Sequence, residues 1–113
     1  MKIAVDLDGT LVDDKPSDQI YEAEGIPEMI ELINKLFDAG HYIIIYTARG
    51  MRRFNGQAHL IPFEYFEKTK RQLDSIGVKY NTIVFGKLDY DLLIDDKVRH
   101  ISDLKLIKNN LLK

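Results

Sequence analysis

Val5-Asp6-Leu7-Asp8-Gly9-Thr10-Leu11 is the stretch on which the fold turns. Lys2 to Leu7 is a short apolar run that breaks into the turn-forming Asp8-Gly9-Thr10, the pattern of a strand buried on both faces. Tyr42 to Tyr46 is β-branched and aromatic and reads as a second strand, with Thr82 to Phe85 and Leu92 to Ile94 as third and fourth. Helical spacing fills the gaps. Pro27 opens a helix with Ile30, Ile33 and Phe37 beside Leu32 and Leu36, stopped by Gly40. After a loop from Thr47 to Ile61, Pro62 starts a second helix with Phe63, Phe66, Leu73 and Ile76 inward, ended by Gly77. A last helix begins near Ser102, with Leu104, Ile107 and Leu111 as its apolar stripe. Strands alternating with helices imply parallel pairing through right-handed crossovers. The fold class is therefore α/β, a Rossmann-like three-layer sandwich around a small, mostly parallel sheet. One connection is short for this scheme: Gly86 to Asp91 is six residues, where a parallel crossover takes about a dozen or more.

The 113 residues allow one domain, 1–113, since single domains usually run to about 100–150 residues. Apolar residues at 45% and charged residues at 30% exclude a disordered or fibrous chain. No apolar run approaches the roughly 20 residues of a membrane helix. Met1 to Leu11 carries two Asp and no small-residue cleavage site, so no signal peptide and a cytoplasmic location are expected. Without Cys there is no disulfide, thiol nucleophile or zinc-thiolate site, and the three His are scattered. Any metal must therefore sit on oxygen ligands. The net charge of −2 is unevenly spread: residues 1–47 carry −7 and residues 48–113 carry +5. Such a split fits either a cation site facing an anion site or two helical surfaces of opposite sign.

Asp6 and Asp8 stand at the C-terminal end of the first expected strand, and Asp95 and Asp96 at the same end of the fourth, in Leu92-Leu93-Ile94-Asp95-Asp96-Lys97. Open α/β sheets bind ligands outside the carboxyl ends of their strands, where strand order reverses. If strands one and four flank that point, four carboxylates converge there, and like charges so close need a cation to stay ionised. Hard oxygen ligands alone point to Mg²⁺. A lone Asp-x-Asp most often makes a turn or cap. Two acidic pairs at separate strand ends are harder to explain that way. Thr47 ends the second strand in Ile45-Tyr46-Thr47-Ala48-Arg49, and Lys87 follows the third in Phe85-Gly86-Lys87. A hydroxyl, loop amides and an ammonium at that edge would hold a phosphoryl group drawn by the metal, although singly a Thr caps loops and a Lys is usually solvated.

In that order these residues resemble the motifs of the haloacid dehalogenase superfamily of phosphotransferases: Asp6-Leu7-Asp8-Gly9-Thr10-Leu11 the first, Thr47 the second, Lys87 the third and Asp95-Asp96 the fourth. The stretches Thr47-Ala48-Arg49-Gly50-Met51, Phe54-Asn55-Gly56-Gln57, Gly86-Lys87 and Ile94-Asp95-Asp96-Lys97 are similar to small bacterial members linked to capsule and surface-polysaccharide biosynthesis. The resemblance implies Asp6 as nucleophile forming an aspartyl-phosphate and Asp8 as general acid and then base. It implies Thr47, Ala48, Arg49 and Lys87 as substrate-binding residues, and Mg²⁺ held by Asp6, Asp8, Asp95 and Asp96, with Asp96 favoured as direct ligand. The substrate would be a small phosphate ester, a sugar phosphate above all.

Larger relatives carry a cap domain between these motifs. Here Val12 to Ile26 and Ala48 to Ile61 are too short to hold one, so the expected domain is a capless core. The loop from Arg49 to His59, with Arg52, Arg53 and Phe54, is the candidate for substrate selection, or else a solvated basic loop. A bulky substrate or a neighbouring subunit in a homo-oligomer would then close the site. Two other readings compete: a phosphatase of nucleotides or nucleic-acid ends, and a receiver-like domain that only accepts a phosphoryl group. No membrane partner is expected.

Overall fold

The computed structural model describes residues 1–112. Three strands, β1 (Lys2–Asp6), β2 (Tyr42–Thr47) and β3 (Thr82–Phe85), form a parallel sheet in the order β1-β2-β3. Three α-helices accompany them: α1 (Pro27–Asp38), α2 (Phe63–Ile76) and α3 (Leu104–Leu111). Ile3 pairs with Ile43 and Ile45 with Ile83, so the strands end level, with Asp6 opposite Tyr46 and Thr47 opposite Phe85. Parallel pairing follows from the helical crossovers, which return the chain to the starting edge each time.

β2 is the central strand and its sequence shows it. Ile43, Ile45 and Thr47 are buried on one face, and Ile44 and Tyr46 are half-buried on the other. In α1 the buried positions are Met29, Leu32, Ile33 and Leu36, the i, i+3, i+4, i+7 stripe of a core-facing helix. Pro27 sits in its first turn, and Gly40, at φ +95°, ends it while the His41 amide bonds back to the Leu36 carbonyl at 3.1 Å. These residues join Val5, Leu7, Leu11, Val12, Leu73 and Val78 in one contiguous core cluster.

Two expectations need correction. Phe63, the first residue of α2, is 69% exposed and stacks on Phe66 at 5.4 Å, because the buried stripe of α2 runs through Thr69, Gln72 and Leu73. The fourth strand is absent among the described residues: Leu92 to Ile94 lie in an irregular segment, with Leu92 76% and Ile94 90% exposed. The Lys87 amide is bonded to the Thr47 carbonyl at 3.1 Å, and Arg52 pairs with Asp89 at 3.1 Å, which pins the chain at the carboxyl edge just after β3. Five strand residues cover about 17 Å at 3.3 Å per residue, and the link from Gly86 to Asp91 cannot run back under the sheet and across to the free edge of β1.

The consequence is measurable by urea unfolding. Ile94→Ser should change stability by less than about 0.5 kcal/mol, whereas Leu73→Ala, in the core, should lose about 2–5 kcal/mol.

Candidate active site

The sheet's carboxyl edge collects the polar residues that the apolar strands lack. Asp6 is the last residue of β1. One of its carboxylate oxygens accepts from Lys87 Nζ at 2.9 Å and the other from Thr10 Oγ1 at 3.1 Å. Gly9, at φ +82°, folds the chain back so that its amide bonds the Val12 carbonyl, which puts Thr10 within reach of Asp6. Lys87 is delivered by Gly86, whose φ of +105° suits glycine and whose missing Cβ would stand 3.3 Å from that of Ala58. Burial works against the Lys87 charge, but the hydrogen bond and charge of Asp6, with Tyr90 assisting, outweigh it and raise its pKa above the ordinary lysine value.

Asp8 has its own cation. Arg49 donates to its two carboxylate oxygens through Nε at 3.1 Å and Nη2 at 2.9 Å, a fork that matches carboxylate geometry. The Arg49 side chain is only 1% exposed, against 26% for Asp8. Nη1 donates to Thr69 Oγ1 at 3.1 Å, and the guanidinium lies 5.1 Å from the Tyr21 ring centroid. Gln72, beside Thr69 on α2, donates to the carbonyls of Ile20 at 2.9 Å and Ala23 at 3.2 Å, fixing the 3₁₀ turn Ile20–Glu22 that carries Tyr21.

Thr47 Oγ1 accepts the Arg49 amide at 3.0 Å, and its hydroxyl hydrogen has no acceptor among the described residues. Ala48 lies between them, half-buried, its carbonyl accepting from the Met51 amide. Asp6, Asp8, Thr47, Ala48, Arg49 and Lys87 are thus brought together, but Arg49 faces Asp8 rather than an incoming ligand. Asp95 and Asp96 are not brought to them. With no fourth strand to carry them, both lie in the exposed segment after β3, and among the described residues no three carboxylate, His or Cys groups converge as a metal cage. The Lys97 amide donates to Asp95 at 2.9 Å and, with Asp96, lowers its pKa below the usual aspartate value.

Thr10, Tyr21, Thr69 and Gln72 belong to the site's support without standing out in the sequence. For Thr69 and Gln72 a signal exists: they are polar residues on the stripe of α2 that also holds Leu73 and Ile76.

Residues 3–65 match the family model described as haloacid dehalogenase-like hydrolase. The chain belongs to that family. It is similar to a Vibrio cholerae protein of known crystal structure, with 31% identity over 91% of this chain and 85% of that one, at a TM-score of 0.82. A chain of the Pnkp1/Rnl/Hen1 RNA repair complex shares the fold, at a TM-score of 0.54 and 16% identity over 97% of this chain and 32% of that one. No curated protein matches. Family membership makes the protein a haloacid dehalogenase-like hydrolase, and hydrolases of this family generally use Mg²⁺.

Two stability predictions follow from the ion pairs. Asp8→Ala strands a buried guanidinium and should destabilise the fold by about 3–5 kcal/mol, with Asp8→Asn, which keeps an acceptor, losing less in the same urea titration. Because the Lys87 pKa is raised in the folded state, its pairing stabilises fully below the unfolded lysine value of about 10.4 and is lost as pH rises through the folded one. Thermal melts of the wild type and Lys87→Met should therefore differ near neutrality and converge at strongly alkaline pH.

Proposed function

We propose that the protein is a Mg²⁺-dependent phosphomonoester hydrolase that works through an aspartyl-phosphate on Asp6, its substrate a small sugar phosphate or related metabolite of polysaccharide biosynthesis. The observation that carries this reading is the juxtaposition of two carboxylates with different partners: Asp6 beside Lys87 and Thr10, and Asp8 clamped by Arg49. Asp6 attacks phosphorus in line with the ester oxygen, the P–O bond to the alcohol breaks, and Asp8 delivers the proton that the departing oxygen needs. Water then attacks the aspartyl-phosphate, Asp8 takes its proton, and inorganic phosphate leaves with Asp6 restored. The Thr47 hydroxyl and the Lys87 ammonium hold phosphoryl oxygens in both steps and offset their growing charge.

The donors suit Mg²⁺ in kind, being oxygens only, and this cation takes one or two carboxylates and fills its shell with water and substrate phosphate. The Asp6 carboxylate and the Asp8 main-chain carbonyl would hold it, and Asp95 and Asp96 stand apart in this conformation. When bound it supplies charge neutralisation between Asp6 and the phosphoryl oxygens.

Arg49 is a positioning residue in this scheme. Both Asp8 oxygens are fixed by a fork that is itself held by Thr69 and Tyr21, so Asp8 is oriented before substrate arrives.

Asp6→Asn should abolish turnover while keeping the native circular dichroism and a cooperative melt; residual phosphatase activity with added Mg²⁺ would overturn the nucleophile assignment. Asp8→Asn, which keeps an acceptor for Arg49, should lower kcat/KM for alkyl phosphates by roughly 10²–10⁴-fold and for p-nitrophenyl phosphate far less, since nitrophenolate leaves without a proton, while kcat falls for both because Asp8 also activates the water. Arg49→Lys should show the same leaving-group bias in milder form. An equal loss of kcat/KM on both esters would mean that Arg49 acts on binding or folding instead of through Asp8.

A further inference from the structure

A pocket of about 300 Å³ is walled by Tyr21, Phe54, Tyr65, Arg53 and Lys68. Its residues come from the segments that follow the carboxyl ends of β1 and β2, hence from the same edge of the sheet as Asp6 and Asp8. Tyr21 joins the two regions: its ring receives the Arg49 guanidinium at 5.1 Å, and that guanidinium reaches Asp8 at 2.9 Å. The larger hollow of the molecule, about 570 Å³ between α1 and the end of α2, contains none of the site residues.

The pocket's chemistry is specific. Phe54 and Tyr65 meet edge to face at 6.1 Å and 76°, so with Tyr21 they offer aromatic surface at more than one angle. Two cations border that surface. Lys68 lies 5.5 Å from the Tyr21 ring and is paired with Glu64 at 2.7 Å. Arg53 lies 5.9 Å from the Phe54 ring, is exposed, and makes no ion pair among the described residues. Aromatic walls with a free guanidinium at the rim match a ring that carries a negative charge.

We infer that this pocket is the leaving-group subsite, and that it selects phosphate esters of ring alcohols bearing a second anionic group. The inference rests on the phosphatase reading above. The ring lies against Tyr21, Phe54 and Tyr65, the second anion meets Arg53, and the ester oxygen then points toward Asp8 past the shared Tyr21–Arg49 contact. An acidic sugar and a nucleoside with a second phosphate both present this chemistry.

Steady-state kinetics with matched esters test it: glucuronate 1-phosphate against glucose 1-phosphate, and adenosine 3′,5′-bisphosphate against adenosine 5′-monophosphate. The wild type should favour the doubly anionic member of at least one pair. Arg53→Gln should raise KM for that member about tenfold more than for its partner, as expected for one charge-assisted hydrogen bond. Tyr65→Ala should raise KM for ring esters more than for ethyl phosphate. The pair that responds identifies the ring as sugar or nucleobase. Calorimetry with the free product, glucuronate or adenosine 3′-monophosphate, reads the subsite without any phosphoryl chemistry, and Arg53→Gln should weaken that binding too. Equal KM changes across each pair, or product binding indifferent to Arg53, would overturn the subsite. Failure of the wild type to hydrolyse any of these esters with Mg²⁺ would instead overturn the phosphatase reading, whatever the binding data show.

Discussion

A guanidinium buried to 1% exposure is expensive in any fold, and the carboxyl edge of this one is arranged around meeting its needs. Asp8 provides the opposite charge, Thr69 an acceptor from α2, and Tyr21 a π face. These groups come from the turn after β1, the 3₁₀ turn beyond it and the middle of α2, while Arg49 itself follows β2. Exchanging such a pair for apolar residues is often neutral in stability, but removing one partner leaves a charge without compensation. The Arg49–Asp8 contact is therefore weak as a general stabiliser and strong as a constraint: every segment that touches it must keep its place.

That constraint has a chemical counterpart. Two aspartates two residues apart at a strand end would repel unless cations intervened. The chain supplies one to each, Lys87 to Asp6 and Arg49 to Asp8. The two cations differ in kind. Lys87 is a partly exposed point charge on a flexible stem, able to turn from Asp6 to an arriving phosphoryl oxygen, whereas Arg49 is a rigid fork held on three sides. One carboxylate is consequently accessible to exchange its partner and the other is not. This asymmetry suits the proposed roles, Asp6 as a nucleophile that must change its bonding and Asp8 as a proton carrier that must hold its direction.

Most of this was legible in the sequence because it is local. The strand-turn pattern from Lys2 to Leu11, the helical stripe through Leu32, Ile33 and Leu36, and the placing of Thr47 and Lys87 after apolar runs all follow from neighbours in the chain. The failures are non-local. Leu92-Leu93-Ile94 has the composition of a strand, but a parallel strand needs a crossover of about a dozen residues, and the six-residue link after β3, pinned at Lys87 and Asp89, does not provide one. The spacing had already marked that link as too short, so the topological rule outweighed the apolar pattern. Arg49 was legible as an anion-binding residue and expected on the substrate, but its pairing with Asp8 depended on the inward turn of its side chain. Thr69 and Gln72 explain that turn: polar groups on a core stripe require buried partners, and Arg49 and the Ile20 carbonyl are those partners.

The absence of a folded cap between the motif-bearing segments then has a physical consequence for selectivity. Between β1 and α1, and between β2 and α2, the described chain makes the 3₁₀ turns Ile20–Glu22 and Ala58–Leu60 and single β-bridges from Val12 to Asp8 and Gly25, but no further helix or strand. A cap would recognise a leaving group from above and exclude water by closing. An open edge has to recognise it from the side, with groups already fixed by the core. Tyr21 meets that requirement because its turn is anchored to α2 through Gln72 and its ring is braced by Arg49. A leaving group seated against Tyr21 therefore touches the same framework that orients Asp8. In the proposed mechanism, binding and proton transfer would be coupled there through one ring and one guanidinium, so discrimination among esters need not come from binding affinity alone: a leaving group that displaces Tyr21 would disturb the proton carrier as well.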